Sequence, residues 1–176
     1  MVTTDLSQYI RSIPDFPKKG IVFKDITTLW KDSEGFKAAF NDLYGFIKGT
    51  HIDKVVGVES RGFVFGAMLA DRLDAGFVPI RKPGKLPSET VKETYVLEYG
   101  VDSIEIHADA IKKGDKVLIH DDLLATGGTM EAACRLIEKL GGEIVQVSFL
   151  IELAFLKGRE KLTKYDVRSL IVYNQE

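Results

Sequence analysis

Short apolar runs alternate with amphipathic stretches along the chain, and this alternation predicts strands that are followed by helices. The apolar runs are continuous and rich in β-branched residues, which is typical of strands buried on both faces. They are KVVGVE, GFVPIR, DKVLIHD, EIVQVSFLIEL and RSLIVY. The pattern therefore predicts an α/β fold in which helices cover both faces of a mostly parallel sheet, with ligands at the carboxyl ends of the strands.

Three helices are predicted from apolar residues at helical spacing. SRGFVFGAMLADRL follows the first long strand, and GGTMEAACRLIEKLGG follows DKVLIHD and ends in a glycine pair that can stop a helix. In SEGFKAAFNDLYGFIKG, Ser33 is the expected N-cap. The apolar face of that helix comprises Phe36, Phe40, Leu43 and Ile47.

Two segments depart from the alternation. Residues 82–95, KPGKLPSETVKETY, have no apolar period and are rich in Pro, Gly, Ser, Lys and Glu, so they are predicted to form a long loop. Loops of that length in compact domains usually have a function. TYVLEYG and SIEIHA are expected to pair as a hairpin. Because no linker divides the chain, residues 1–176 are expected to form one domain.

Composition narrows the classes of function. The chain has 176 residues, of which 45% are hydrophobic and 28% charged, as in soluble globular domains. Its formal net charge of -2 argues against a nucleic-acid partner, which usually requires a basic surface. The single cysteine, Cys134, excludes an internal disulfide and makes a structural zinc site unexpected. Without a signal-peptide pattern or a membrane-length apolar run, a cytoplasmic protein with no membrane partner is expected.

The stretch VLIHDDLLATGGTM carries the clearest chemistry. Asp121 and Asp122 end an apolar run, and the residues that follow resemble an anion site, because Gly127 and Gly128 allow close approach and the next helix begins there. No lysine follows the glycines, so this is not a Walker loop. The acids would repel a triphosphate but suit the hydroxyls of a sugar phosphate. The residues alone equally allow an ordinary strand–turn–helix with solvated acids.

The same stretch and five further segments resemble the adenine phosphoribosyltransferases of the type I phosphoribosyltransferase family. The five are IPDFPKKGIVFKDI, GVESRGFVFG, IRKPGKLP, YVLEYG and ELAFLKGREKL, in that family's order. The resemblance implies a mostly parallel twisted sheet flanked by helices, a small N-terminal hood within residues 1–32 and a flexible catalytic loop at residues 82–95. It also implies a cytoplasmic homodimer in purine salvage, which makes AMP and pyrophosphate from adenine and phosphoribosyl pyrophosphate with Mg²⁺.

The resemblance also assigns the sugar-phosphate and pyrophosphate ligands. Asp121 and Asp122 would bind the ribose hydroxyls and belong to the catalytic residues. Arg61 would bind pyrophosphate, with a cis peptide between Glu59 and Ser60, and Mg²⁺ would be held mainly by substrate and water, with no protein metal ligand. The basic loop residues Arg81, Lys82 and Lys85 would also bind pyrophosphate, with Arg81 reaching a neighbouring subunit. The 5-phosphate would lie on Ala125, Thr126, Gly127, Gly128 and Thr129.

For the base, the resemblance implies that Phe23 stacks on adenine while the main chains of Val22 and Lys24 read its edge. Without the resemblance, Val22 and Phe23 would be interpreted as core residues. Glu98 would be the catalytic acid near the purine, and Tyr99 would help to close the loop. His120 departs from the usual apolar residue and is expected to be a packing variant that points away from the acids.

Two alternatives stay open at this point. The sugar-phosphate motif alone would also suit a phosphoribosyltransferase for hypoxanthine, xanthine or orotate, although the segment IPDFPKKGIVFKD favours adenine. A non-catalytic regulator that binds phosphoribosyl pyrophosphate would also keep the motif. Such a protein usually has a separate DNA-binding segment and lacks catalytic-loop residues, and neither feature is evident in the sequence.

Overall fold

A five-stranded sheet runs through the computed structural model, which describes residues 5–96 and 100–175. Three short 3₁₀ helices, Leu6–Tyr9, Ala154–Leu156 and Gly158–Leu162, accompany the main elements. In chain order the main elements are β1 (Arg11–Ile13), β2 (Phe23–Asp25), α1 (Thr27–Trp30), α2 (Ser33–Ile47), β3 (Lys54–Val58), α3 (Gly62–Arg72), β4 (Gly76–Ile80), β5 (Thr90–Val96), β6 (Val101–His107), β7 (Lys116–Leu124), α4 (Gly128–Lys139), β8 (Glu143–Leu153) and β9 (Val167–Tyr173).

The sheet has the order β4-β3-β7-β8-β9, and each neighbouring pair in it is parallel. This confirms the predicted mostly parallel α/β sheet. From β3 the chain moves outward to β4, whereas from β7 it moves the opposite way to β8 and β9. The order therefore reverses between β3 and β7, and a crevice at the carboxyl ends of these two strands is where such folds bind ligands.

Helices bury both faces of the sheet, as the continuous apolar strands required. On one face lies α4, whose apolar residues Met130, Ala133, Cys134 and Ile137 are all at most 2% exposed. On the other face lie α2 and α3, and Leu43 and its neighbours form a second cluster. Each fully buried aliphatic side chain contributes roughly 1.5–3 kcal/mol, so the two layers hold the strand ends in place.

The start of α2 differs by one residue from the prediction. The N-cap is Asp32 rather than Ser33, because the Asp32 carboxylate accepts hydrogen bonds from the main-chain amides of Glu34 at 3.0 Å and Gly35 at 2.8 Å. Ser33 is the first helical residue. Both side chains are good caps, and the carboxylate also interacts favourably with the helix dipole.

The predicted hairpin is confirmed, since β5 and β6 pair antiparallel, but the predicted loop at residues 82–95 is too long. Thr90 already belongs to β5, and only residues 82–89 lack a strand or helix. The first part of β5 shows no clear alternation of apolar and polar residues, because Glu93 lies on the same face of the strand as Val91 and Tyr95. Its carboxylate is compensated there by ion pairs with Arg135 and Lys139 of α4.

The N-terminal part forms a small separate hairpin. β1 pairs antiparallel with β2, and Arg11 forms an ion pair with Asp25 across it. The hydrogen bonds from Arg11, and then those from Thr27, lower the pKa of Asp25 to about 2. No helix within residues 5–96 and 100–175 is both long and apolar enough to cross a membrane.

Candidate active site

A cavity of about 330 Å³ opens at the carboxyl ends of β3 and β7, where the strand order reverses. A smaller cavity of about 80 Å³ adjoins it along the loop of residues 125–129. Side chains from both strand ends, from the hairpin and from the start of α4 meet at the larger cavity. Its lining residues are Val58, Glu59, Ser60, Arg61, Lys82, Tyr95, Ile104, Asp121, Asp122, Leu123 and Thr129.

The acid pair of the sequence motif lies at this cavity, and one of its members is bound to a cation. Arg61 Nε donates a hydrogen bond to Asp122 Oδ2 at 2.6 Å, and Asp122 is only 6% exposed. The pKa of Asp121 lies well above its usual range, because burial desolvates the carboxyl and the neighbouring Asp122 is negative. The site therefore compensates its own acids, one by an ion pair and one by favouring the protonated form.

Arg61 also connects the cavity to the N-terminal hairpin. Its guanidinium carbon lies 5.5 Å from the centre of the Phe23 ring, and that ring is only partly buried. The structure thus brings the predicted base-stacking residue beside the predicted pyrophosphate residue. Val22 is partly buried, whereas the Lys24 side chain is engaged elsewhere, with its ammonium 3.1 Å from Ser12 Oγ.

A carboxylate that the sequence analysis gave no binding role organises the basic loop. Glu59 accepts a hydrogen bond from the Lys82 amide at 2.8 Å and two from the Arg81 guanidinium at 3.3 Å each. Desolvation would raise the pKa of Glu59, but these hydrogen bonds outweigh it and the pKa is lowered. The predicted cis peptide between Glu59 and Ser60 is confirmed. The sequence did contain a signal for this contact, because an acid ends β3 and a basic run follows the adjacent strand β4.

The Lys82 side chain is held by two residues of the hairpin that the sequence analysis also missed. Its ammonium donates to Asp102 and lies 3.2 Å from Tyr95 Oη, which itself donates to Asp102 at 3.1 Å. Burial would lower the pKa of Lys82, yet these contacts raise it, so Lys82 stays cationic at the cavity. Lys85 is exposed, and its main-chain oxygen accepts from Arg81.

The loop of residues 125–129 joins β7 to α4 and turns on a left-handed glycine. Gly127 has φ +79°, and a Cβ there would lie 2.5 Å from the main-chain oxygen of Gly158. Gly128 is the first residue of α4, so the loop amides lie at the positive end of the helix dipole. Ala125, Thr126 and Thr129, at or beside the two cavities, complete the predicted phosphate site.

His120 is fully buried and supports the packing interpretation. Its Nδ1 lies 3.0 Å from Ser148 Oγ, and its ring meets Phe65 edge to face. Burial lowers the pKa of His120 to about 3, so the ring is neutral at ordinary pH. The prediction that it points away from the acids holds for Asp121 only, because alternate residues share a strand face and His120 lies on that of Asp122.

Glu98 and Tyr99 lie outside the described residues, so their predicted roles stay predictions. The last described residue before them is Val96. Its main-chain oxygen lies 3.6 Å from the position that a Cβ on Gly128 would occupy, so the end of β5 lies against the start of α4.

Comparison with known proteins points to the same family as the sequence motifs. The family model of the phosphoribosyl transferase domain matches residues 31–175. Adenine phosphoribosyltransferase of Christiangramia forsetii is 62% identical over 170 residues, covering 97% of this chain and 99% of that protein. The crystal structure of adenine phosphoribosyltransferase from Thermoanaerobacter pseudethanolicus gives a TM-score of 0.94 at 53% identity, covering 97% of this chain and 99% of that one. The Trypanosoma brucei enzyme, in complex with AMP, pyrophosphate and ribose-5-phosphate, gives 0.88 at 25% identity, covering 97% of this chain and 79% of that one.

Proposed function

The chain belongs to the adenine phosphoribosyltransferases of the phosphoribosyl transferase family, and we propose that it transfers the 5-phosphoribosyl group of phosphoribosyl pyrophosphate to adenine. The products are AMP and pyrophosphate, and the setting is purine salvage. The observation that carries this proposal is the acid pair beside a helix-start loop at the reversal of a parallel sheet of the same family's fold. The ligands of the Trypanosoma brucei relative support the same assignment.

The loop and the acids are proposed to bind different parts of the sugar phosphate. The amides of Gly127, Gly128 and Thr129 bind the 5-phosphate, because they begin α4 and its dipole favours an anion. Asp121 and Asp122 accept hydrogen bonds from the ribose hydroxyls. As the bond to pyrophosphate breaks, the ribose becomes oxocarbenium-like, and the nearby Asp122 carboxylate then stabilises its positive charge.

The basic residues at and around the cavity are proposed to bind the leaving pyrophosphate. Arg61, Arg81, Lys82 and Lys85 supply the charge, and preorganised cations stabilise negative charge as it develops. Arg61 has to leave Asp122 to do so, and the ribose hydroxyls replace it there. Residues 82–89, which have no strand or helix, are proposed to close over the site with the rest of the 82–95 segment and exclude water.

The base is proposed to bind between the hood and the sheet. Phe23 stacks on the purine, and the main chains of Val22 and Lys24 distinguish the 6-amino from a 6-oxo group. The purine N9 attacks the anomeric carbon from the face opposite the leaving group. Glu98 takes up or relays the purine proton, an effect typically worth about 10²–10⁴-fold in rate. Tyr99 assists closure.

The residues present fit a magnesium ion carried in with the substrate. Magnesium binds one or two carboxylates together with phosphate oxygens and keeps several waters, and three acidic side chains, Glu59, Asp121 and Asp122, line this cavity. No cluster of three or more acidic, histidine or cysteine residues that could hold a metal occurs among the described residues. We propose that the ion is held mainly by substrate and water. When bound, the ion neutralises charge on the pyrophosphate.

Three further properties rest on the family resemblance and on the composition of the sequence. We propose a homodimer, in which Arg81 reaches the neighbouring subunit, a cytoplasmic location, and no nucleic-acid or membrane partner. In the structure the Arg81 guanidinium contacts Glu59 of its own chain, so the intersubunit contact would require a different rotamer.

The test is direct. The protein is incubated with phosphoribosyl pyrophosphate, Mg²⁺ and an equal mixture of adenine, hypoxanthine, xanthine and orotate, and each nucleotide is measured. AMP as the main product supports the proposal, whereas another nucleotide would assign a different base. Absence of all four nucleotides, despite binding of phosphoribosyl pyrophosphate, would favour the non-catalytic regulator.

A further inference from the structure

The segment ELAFLKGREKL resembles the family, yet the proposed reaction gives it no role. Its 3₁₀ helix Gly158–Leu162 lies behind the loop of residues 125–129. Building on the proposed function, we propose that Lys161 is a further ligand of the 5-phosphate. In this proposal, contact between Gly158 and the loop holds the Lys161 ammonium at the start of α4.

Gly158 fixes the segment to the loop by direct main-chain contact. A Cβ on Gly158 would overlap the main-chain oxygen of Ala125 and lie 2.9 Å from the amide nitrogen of Gly127. A Cβ on Gly127 would in turn lie 2.5 Å from the Gly158 oxygen. Since no side chain can separate the two backbones, the position of the 3₁₀ helix and that of the phosphate-binding loop are coupled.

Arg159 anchors the same helix to the sheet. Its guanidinium donates to Glu152 Oε1 at 2.9 Å, to the main-chain oxygen of Val167 at 2.8 Å and to Ser169 Oγ at 3.3 Å. Glu152 is 4% exposed. Three contacts to β8 and β9 therefore leave the helix little freedom to move relative to the strand ends.

The Lys161 ammonium reaches the loop from this anchored helix. Its Nζ lies 4.0 Å from the position that a Cβ on Gly128 would occupy, and Gly128 opens α4. Within residues 5–96 and 100–175 no carboxylate lies within ion-pair distance of this ammonium. A phosphate on the first amides of α4 therefore lies within reach of an unpaired lysine.

The cation supplies what the loop itself lacks. Residues 125–129 contain no basic side chain, and a helix N-terminus offers only about half a positive charge to a phosphate monoester. Arg61, Arg81 and Lys82 lie at the larger cavity or are held by the residues around it. Lys161 thus gives the 5-phosphate its own cation, separate from those proposed for pyrophosphate.

The test compares ligands that occupy one end of the site. Binding of ribose 5-phosphate and, separately, of pyrophosphate is measured by calorimetry for the parent, Lys161→Gln and Lys161→Arg. Lys161→Gln should weaken ribose 5-phosphate binding roughly tenfold, as expected when a charge-assisted hydrogen bond is lost. Pyrophosphate binding should stay the same, and Lys161→Arg should retain most of the affinity because it keeps the charge.

A matched control removes a lysine near the opposite, C-terminal end of α4. Lys113 packs against Gly141, 3.4 Å from its Cβ position, just beyond the C-terminus of α4. Lys113→Gln therefore makes the same change in net charge about 18 Å away, at a rise of about 1.5 Å per residue, and should leave both affinities unchanged. Equal losses in the two glutamine variants would indicate a general charge effect and overturn the proposal.

The failure of this inference differs from failure of the proposed function. A parent protein that forms AMP, with a Lys161→Gln variant that binds ribose 5-phosphate within about twofold of it, would reject Lys161 alone. A parent that forms no AMP and binds no ribose 5-phosphate would reject both. Gly158→Ala provides a second route, because it displaces the loop and should weaken ribose 5-phosphate more than pyrophosphate in a folded protein.

Discussion

Replacing Asp122 by Asn should affect the two ends of the substrate in opposite directions. In the unliganded structure Arg61 is bound to Asp122, with Nε 2.6 Å from Oδ2. A pyrophosphate ion that binds Arg61 has to break this ion pair and leave the buried carboxylate without its partner. Asp122→Asn removes that cost, so free pyrophosphate should bind more tightly. Ribose 5-phosphate should bind more weakly, because an amide is a poorer acceptor for its hydroxyls.

The size of the effect follows from the exposure of the two groups. The side chain of Asp122 is 9% exposed and that of Arg61 40%. A hydrogen bond between charged groups contributes about 1.5–3 kcal/mol, and solvent around the guanidinium reduces this to about 1–2 kcal/mol. At about 1.4 kcal/mol per factor of ten, pyrophosphate affinity should rise roughly 5- to 30-fold.

Calorimetry with pyrophosphate measures this change. The same measurement in an Arg61→Gln protein distinguishes release of Arg61 from simple charge repulsion as its cause. In an Arg61→Gln protein the ion pair is already absent, so adding Asp122→Asn should give no comparable gain. If the gain persists in that background, simple repulsion between Asp122 and the anion explains it, and release of Arg61 does not. Asp109→Asn, an exposed carboxylate, controls for net charge.

Three further predictions test the core, the buried histidine and the catalytic acid. Arg159→Met should lower stability by about 3 kcal/mol at pH 7, because the buried carboxylate of Glu152 loses its partner. Arg159 lowers the pKa of Glu152, so the parent's advantage in urea unfolding should shrink as the pH falls below about 4. Burial lowers the pKa of His120 to about 3, so the unfolded chain binds a proton below about pH 6.5 that the folded chain does not. The parent should lose up to about 1.4 kcal/mol per pH unit from there towards pH 3, and His120→Val should lack this part of the slope. Glu98→Leu should lower turnover about 10²-fold or more while phosphoribosyl pyrophosphate binding persists, and parental turnover would remove its assigned role.

The sheet, its helices and the main sequence motif could be predicted because each follows from local pattern. Continuous apolar runs gave the parallel strands, and the acids and glycines that follow one of them lie at a strand end by necessity. The first part of β5 was missed because Glu93 lies on its buried face, where only tertiary ion pairs with α4 make a carboxylate acceptable. The sequence pattern alone predicts that such a residue is exposed.

The contacts that organise the basic loop could not be predicted for a related reason. Lys82 and Asp102 are twenty positions apart and meet only because the hairpin folds over the cavity. Glu59 reaches the Lys82 amide across two neighbouring strand ends. None of these residues differs, in sequence, from an ordinary solvated side chain, and their roles depend on partners that the fold brings together.

These contacts all pair an acid with a cation, and this pairing affects which ligand the site selects. Asp122 is paired with Arg61, Glu59 with Arg81, and Asp102 with Lys82, so these three acids around the cavity are already matched by cations. A simple polyanion that takes Arg61 leaves Asp122 unsatisfied, and a simple sugar that takes Asp122 leaves Arg61 without its partner. A ligand that presents hydroxyls to the acid and phosphates to the cation replaces both halves of the pair at once. Preference for phosphoribosyl pyrophosphate over its fragments would then arise from the pairs that it exchanges, as well as from the contacts that it adds.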